Sequence, residues 1–445
     1  MIFEQLVNPD LGCASYLIGC EAAGEVVLVD PHLEIEPLLA AAERHGARIV
    51  RIIETHTHAD HVSGHGRLAL EHGIPVSIHP IAAVAYPNDP LEDGDEIRVG
   101  QVSLRCLHTP GHRPEHCCFA VVDHTRADEP WLVLTGDSLF VGDTARPDLA
   151  VGGVEGATGL HASLQRLVAL GDGVEVYPGH VSGSLCGRGM SSKASTTIGF
   201  ERRFNPMLQL ASVEAFVRVS AGIEAPKPPN LVRIVAANHG PFRPAPPEAQ
   251  ELAAPPAGQQ ILDVRPFADY AAGHHEGAVN VPVAGSSFAT RAGFALDPDR
   301  PVCVVAASAA DARRALAGLH SVALQAPGYV IGGGRRRMEA TSAGELAALV
   351  AAGTVDVVDV REPHEHAEGH IPGAENVPYH LLATIFDRPR DRPLVTICES
   401  GPRAAVAASI LAAHGLDARP VTPGGMGAWR AEGHPVETGA PAAVS

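Results

Sequence analysis

Lysine is almost missing from this chain: of its 33 lysine and arginine residues, only Lys193 and Lys227 are lysines. Set against 51 aspartates and glutamates, they leave a formal charge of -18. A surface so short of cations cannot neutralise a run of phosphates, which excludes nucleic acid and anionic membrane as main partners. No arginine or lysine precedes Arg44. The basic start of a secretory signal and the arginine-rich character of a transit peptide are therefore both missing, and the expected location is the cytoplasm. No apolar run approaches the roughly 18 residues that a membrane span needs, and the stretch Ala404 to Ala413 stops well short. The 8 cysteines include no CxxC pair, so a disulfide framework is not expected and a reducing compartment is.

What is present is an ordinary globular composition, 45% hydrophobic and 19% charged, spread over 445 residues, enough for about three domains. Short β-branched runs at 25–29, 48–53, 75–78, 102–107, 131–134 and 174–177 alternate with helix-like stretches such as 33–45, an α/β pattern. A proline-rich passage from Pro226 to Pro256 cannot be continuous helix or central strand, and the first domain is expected to end within it. Beyond it the chain repeats itself. Leu262 to Pro282 aligns without gaps on Val358 to Pro378 at an offset of 96 residues, with 11 of 21 positions identical. That means two copies of one domain. Ser342-Ala-Gly-Glu345 ahead of an apolar run is a capping-box pattern and marks the start of the second copy near residue 340. The expected domains are 1–245, 250–340 and 341–445.

After the strand at 48–53 comes Thr55-His-Thr-His-Ala-Asp-His61, which puts His56, His58, Asp60 and His61 within six residues. His112, Asp137 and His180 each follow a glycine at the end of an expected strand. Glycine there is expected to let backbone and metal approach closely. Imidazoles and carboxylates without thiolate suit zinc, iron or manganese. Cys106, Cys117, Cys118 and Cys186 are expected to be small core or pocket-lining residues.

The THTHADH motif with the later TPGH, TGD and PGH resembles the metallo-β-lactamase fold, which implies an αββα sandwich with metal at one edge. More narrowly, Thr135 to Asp148 and Tyr177 to Phe204 resemble the persulfide dioxygenases. That resemblance implies one ferrous iron held by His56, His112 and Asp137, with an open face for O2 and substrate. His58, Asp60, His61 and His180 would then orient ligands and substrate. The glyoxalase II group of the same fold uses all seven positions to hold two zinc ions for thioester hydrolysis, and the motif alone leaves both assignments open. Arg146 could pair with a carboxylate of a glutathione-like carrier or simply brace its loop.

In the last domain an apolar strand runs into Cys398-Glu-Ser-Gly-Pro-Arg403 and then an alanine-rich helix. A thiolate at such a turn is stabilised by backbone N–H groups, the helix end and Arg403. With the DVRE segment at 359–362, GHIPGAENVP at 369–378 and PGGMGAWRAEGHP at 423–435, this resembles a rhodanese domain of parallel α/β fold, and implies Cys398 as a persulfide-forming nucleophile. In the middle copy, Ala306 stands where Cys398 does and Asp311 where Arg403 does, so that copy is expected to be catalytically empty. Arg335, Arg336 and Arg337 could dock an anion or form a solvated loop.

Together these resemblances imply an iron-dependent persulfide dioxygenase coupled to sulfur transfer involving sulfite and thiosulfate. Two alternatives are a dinuclear zinc thioester hydrolase with an appended sulfurtransferase, and a non-catalytic sulfur-sensing scaffold. The sequence leaves open which thiol carries the persulfide and whether the chain forms a homo-oligomer.

Overall fold

A computed structural model describes residues 1–181, 190–221, 227–285 and 287–439. It divides into two compact units, residues 1–246 with 320–323, and residues 247–319 with 324–445. Among the described residues no helix is long and apolar enough to cross a membrane.

The first unit contains two six-stranded sheets. One holds β1 (Ile2–Val7), β2 (Ala14–Cys20), β3 (Glu25–Val29), β4 (Arg48–Ile53), β5 (Val76–Ile78) and β6 (Asp89–Pro90), neighbours in chain order. The other holds β7 (Glu96–Val99), β8 (Val102–His108), β9 (Cys117–Asp123), β10 (Leu132–Gly136), β11 (Glu175–Pro178) and β12 (Thr196–Thr197), again in chain order. Strands β2, β3 and β9 read as nearly unbroken apolar runs because both of their faces are covered. Tyr16, Ile18 and Val27 meet Leu104, Phe119 and Leu134 between the sheets. Leu17, Val26 and Leu28 face Leu38 of helix Glu36–Arg44 and Leu68 of helix His65–His72. Ala120 and Val133 pack on Leu160 of helix Gly153–Val168 and Phe216 of helix Val213–Ala221. The layers are therefore αββα. Cys106 and Cys117 lie in the inter-sheet core and Cys118 in the outer one, while Cys186 lies outside the described residues. Within the proline-rich passage, helix Leu231–His239 fits between Pro229 and Pro241.

The second unit has two sheets. Strands β13 (Gln250–Glu251), β14 (Gln260–Asp263), β15 (Ala278–Asn280), β16 (Val302–Ala306) and β17 (Gly328–Ile331) lie in the order β13-β17-β16-β14-β15, all parallel. Strands β18 (Asp356–Asp359), β19 (Glu375–Asn376), β20 (Leu394–Ile397) and β21 (Ala418–Pro420) lie in the order β19-β18-β20-β21, also parallel. The internal repeat extends to the hydrogen bonds. Arg265 forks onto Asp263 and reaches Gly273 O at 2.8 Å, as Arg361 forks onto Asp359 and reaches Gly369 O at 2.8 Å. Asn280 Nδ2 donates to Asp263 O and Arg265 O, as Asn376 Nδ2 does to Asp359 O and Arg361 O. The capping box at Ser342 opens helix Ala343–Ala351. Helix Pro402–Ala413 is buried from Ala404 to Leu411, and its Ser409 Oγ accepts from Asn280 N at 2.9 Å, so it also covers edge strand β15 of the other repeat. Alanine at four of these eight positions permits that two-sided close approach.

Candidate metal centre and cysteine loop

The histidines and aspartates of the first unit sit where strands end. His56 follows β4, His112 lies between β8 and β9, Asp137 follows β10 and His180 follows β11, so the chain brings all four to one edge of the sandwich. One ligand atom each of His56, His112 and Asp137 falls within 4.8 Å of the others, all three residues being buried. His112 Nε2 stands 3.6 Å from Asp137 Oδ2, a distance that one ion bound about 2.1 Å from each can span.

Each of the three is oriented by a neighbour. Thr55 N and Oγ1 donate to the Asp30 carboxylate at 2.7 and 2.8 Å. With its one proton so used, Thr55 Oγ1 accepts from His56 Nδ1 at 2.9 Å, leaving a lone pair on Nε2. His112 Nδ1 donates to Arg146 O at 3.0 Å, which likewise leaves its Nε2 lone pair free. Asp137 Oδ1 is held by His180 Nδ1 at 2.8 Å, and Oδ2 is left over. Among the described residues neither His56 Nε2 nor Asp137 Oδ2 has a hydrogen-bond partner, an expensive arrangement for buried atoms unless they share a cation. Burial and neighbouring rings hold His56 below the ordinary histidine range, and burial does the same to His112, which keeps both in the neutral form that ligates. Two nitrogens and one oxygen with supporting hydrogen bonds fit a divalent metal ion.

The other four motif residues are occupied differently. His58 Nε2 lies 3.3 Å from both Asp30 Oδ1 and Glu54 Oε2, and those carboxylates overcome burial to raise its pKa. His180 Nε2 meets Asp60 Oδ2 at 2.7 Å. Burial alone would favour the neutral ring, but Asp137 and Asp60 outweigh it and push His180 up to about 10. Asp60 Oδ1 is 3.1 Å from His61 Nδ1. His58, Asp60 and His61 also lie close enough to form a ligand cluster.

The expectation about glycine changes in detail, because the crowding comes from protein atoms. A Cβ on Gly136, whose φ is +45°, would come within 2.7 Å of His116 Nε2, and one on Gly179 within 2.7 Å of Asp137 Oδ1. His116 is one of several supporting residues that sequence reasoning missed. Its Nε2 accepts from Asp137 N at 3.0 Å and its Nδ1 donates to Thr109 Oγ1, while burial and the neighbouring His112 hold its pKa down to about 3. Asp30 was missed as well, although an acid ending the apolar strand β3 was a legible signal. Asn238 had none: from the helix inside the proline-rich passage it donates to His58 O and His61 O and accepts from Ser63 N. Arg146 forks onto Asp148 through two bonds of 2.7 Å, which braces its loop. We expect Thr55→Ala to weaken metal binding by about 10- to 100-fold in a chelator competition, and Thr55→Ser to restore most of it.

In the second unit Cys398 follows β20 and is buried. Gly401 N and Ala404 N point at its sulfur from 3.1 and 3.4 Å, a cradle suited to a thiolate. Arg403 forks onto Glu365 at 2.6 and 2.7 Å. In the other repeat Ala306 ends β16, and Ala312 N, the counterpart of Ala404 N, donates instead to Ser308 O at 3.0 Å. Asp311 binds Ser308 through both its backbone N–H and its carboxylate. Ala306→Cys in a Cys398→Ser background should therefore give less than about 1% of wild-type sulfur transfer, because the Ala312 N–H, one of the two that would hold its thiolate, is committed and Asp311 replaces the neighbouring cation that would lower its pKa. Near wild-type recovery in a thiosulfate assay would refute this. The three arginines at 335–337 are exposed, with Arg336 paired to Glu276.

The metallo-beta-lactamase superfamily profile matches residues 8–180, and the rhodanese-like domain profile matches 248–336 and 342–432. The mitochondrial persulfide dioxygenase ETHE1 of Homo sapiens is 31% identical over 240 residues, spanning 54% of this chain and 87% of that protein. Its Bos taurus counterpart is 32% identical over the same shares. A metallo-beta-lactamase crystal structure from Staphylococcus aureus superposes with a TM-score of 0.69 at 27% identity, covering 75% of this chain and 99% of its own.

Proposed function

The chain belongs to the metallo-β-lactamase superfamily, with persulfide dioxygenases as relatives of its N-terminal half, and carries two rhodanese-like domains; from that premise we propose that it oxidises a low-molecular-weight thiol persulfide and transfers sulfane sulfur through Cys398. In the first reaction persulfide, O2 and water give thiol, sulfite and two protons, with four electrons passing from the sulfane sulfur to O2. The metal is one ferrous ion per chain, held by His56, His112 and Asp137, and when bound it supplies the redox chemistry that couples O2 to sulfur.

The observation that carries the mononuclear reading is the division of labour among the seven motif residues. His56, His112 and Asp137 turn ligand atoms toward one another, while in the second close group, His58, Asp60 and His61, both histidines stand beside carboxylates although Nε2 of each lacks a hydrogen-bond partner. His180 spends both ring nitrogens on Asp137 and Asp60, and His58 faces Asp30 and Glu54. A dinuclear hydrolase would need those nitrogens for its metals. The chain's own residues do the positioning: Asp30 and Thr55 fix the His56 tautomer, Arg146 O fixes that of His112, His180 aims Asp137, and Asn238 ties down the loop carrying His58 and His61. Burial of the ligands keeps bulk water from competing for them.

In the second reaction the Cys398 thiolate exchanges sulfane sulfur with sulfite and thiosulfate. Its support is the N–H cradle around the sulfur. We place both reactions in the cytoplasm, where the seven described cysteines, all unpaired, stay reduced. The test is metal analysis of anaerobically prepared protein together with oxygen uptake on glutathione persulfide. One iron per chain and persulfide-dependent uptake are expected, whereas two zinc ions with fast thioester hydrolysis would overturn the reading.

A further inference from the structure

We propose that the segment His320–Ala323 is a positioning element of the metal centre, which holds the loop carrying Asp60 and His61 through Ser321 O and is held in turn by Asn230. This rests on the reading of His56, His112 and Asp137 as the metal ligands. The segment follows helix Ala309–Ser321 of the repeat without a nucleophile, yet it belongs to the first compact unit. The last carbonyls of a helix have no partner within it. Here a left-handed turn at Ala323, with φ +59°, folds the chain back, so that Ala323 N donates to His320 O at 3.1 Å and Leu324 N to Leu319 O at 2.9 Å. Ser321 O and Val322 O are taken elsewhere in the first unit: Ser321 O accepts from Val62 N and Val322 O from Asn230 Nδ2, each at 2.7 Å.

Val62 follows His61 directly and is buried, so its N–H needs a partner within the protein. The rest of this stretch is tied down by residues nearer in the chain. Asn238 binds His58 O, His61 O and Ser63 N, and Pro31 O accepts from Gly64 N at 2.8 Å. Asn230 precedes helix Leu231–His239 and Asn238 lies in its last turn, so one helix grips the loop at one end and segment 320–323 at the other. Ser321, Val322 and Asn230 are all buried, which makes each of these bonds costly to leave unmade. From the loop the constraint reaches a ligand in two bonds, since Asp60 Oδ2 meets His180 Nε2 at 2.7 Å and His180 Nδ1 meets Asp137 Oδ1 at 2.8 Å. A shift at Val62 therefore moves Asp60, and with it the clamp that aims Asp137. The repeat that lacks a nucleophile thus still supplies part of the support of the metal centre.

The full-length protein tests this with cobalt(II), which accepts the same nitrogen and oxygen donors as iron, by chelator competition and by hydrogen–deuterium exchange followed by mass spectrometry. Loading wild type with cobalt(II) should slow exchange at Ala323 and Leu324 as well as at Val62 to Gly64, because elements that hold each other share any stabilisation. Asn230→Ala should speed exchange at Val62 by about tenfold in the metal-free protein. It should also weaken cobalt(II) binding by about 3- to 10-fold, less than the loss of a group that touches a ligand. Ala323→Val, which puts a β-branched residue at φ +59°, should do the same, whereas Ala323→Gly, which accepts that turn, should bind as wild type does. Protection confined to Val62–Gly64 would overturn the proposal, and this wild-type measurement decides even where a variant fails to fold. A lowered Tm in Asn230→Ala with unchanged exchange at Val62 and unchanged cobalt(II) affinity would reveal a structural brace and also overturn it, leaving the metal-site reading standing. A wild-type protein that binds no cobalt(II) would overturn that reading and the proposal with it.

Discussion

Asp137→Ala is expected to leave the protein without bound iron and without persulfide-dependent oxygen uptake. Asp137 is the one oxygen donor of the proposed three-residue set, and Oδ2 has no hydrogen-bond partner among the described residues. Its removal leaves two imidazoles, too few to hold a ferrous ion against dilution. The loss should exceed the roughly 10- to 100-fold that follows removal of a supporting residue. It also deprives His180 of one of its two carboxylates, so the remaining Asp60 pair must carry the ring. His56→Ala and His112→Ala remove neutral ligands and leave that ion-pair chain intact, so they separate loss of metal from loss of the buried charge network. All three should give metal contents near zero by mass spectrometry and flat oxygen-electrode traces. Retention of uptake by any one of them would mean that the ion is held elsewhere.

Cys398→Ser is expected to abolish thiosulfate-dependent sulfur transfer, by on the order of 10⁴-fold or more, while sulfite formation from added persulfide continues. A hydroxyl cannot carry sulfane sulfur, yet it retains an acceptor for Gly401 N and Ala404 N, so the loop keeps its form. The metal centre belongs to a different compact unit, and nothing in its ligand set involves this loop. The check is a paired assay of one preparation, oxygen uptake beside thiosulfate turnover. Full transfer activity in the mutant would require another nucleophile, and the other described cysteine of this unit, Cys303, is buried inside strand β16 with its thiol pushed up to about 11 by burial.

Much of this was legible in the order of residues. The strand at 25–29 was readable because a run covered on both faces is apolar almost throughout, the strand at 48–53 because its β-branched residues recur, and the second unit because it repeats itself. The candidate metal centre was readable because four of its seven candidate residues crowd into one short loop. Strand β9 and the helix at 231–239 were harder, the first because cysteine and alanine speak weakly for strand, the second because prolines flank it.

By itself, then, the sequence determined the identity of the chemistry-bearing groups: which imidazoles and carboxylates are present, which repeat retains its cysteine, and which has alanine and aspartate in place of cysteine and arginine. Those are local facts, fixed by residue type and spacing. Only the tertiary structure decided how the groups are shared out. Whether His180 is a ligand or a clamp depends on Asp60 and Asp137, which lie 120 and 43 residues away along the chain. That Arg403 is neutralised by Glu365, 38 residues away, is likewise a consequence of folding, since hydrogen bonds and charges act over a few ångströms of space and are blind to distance along the chain.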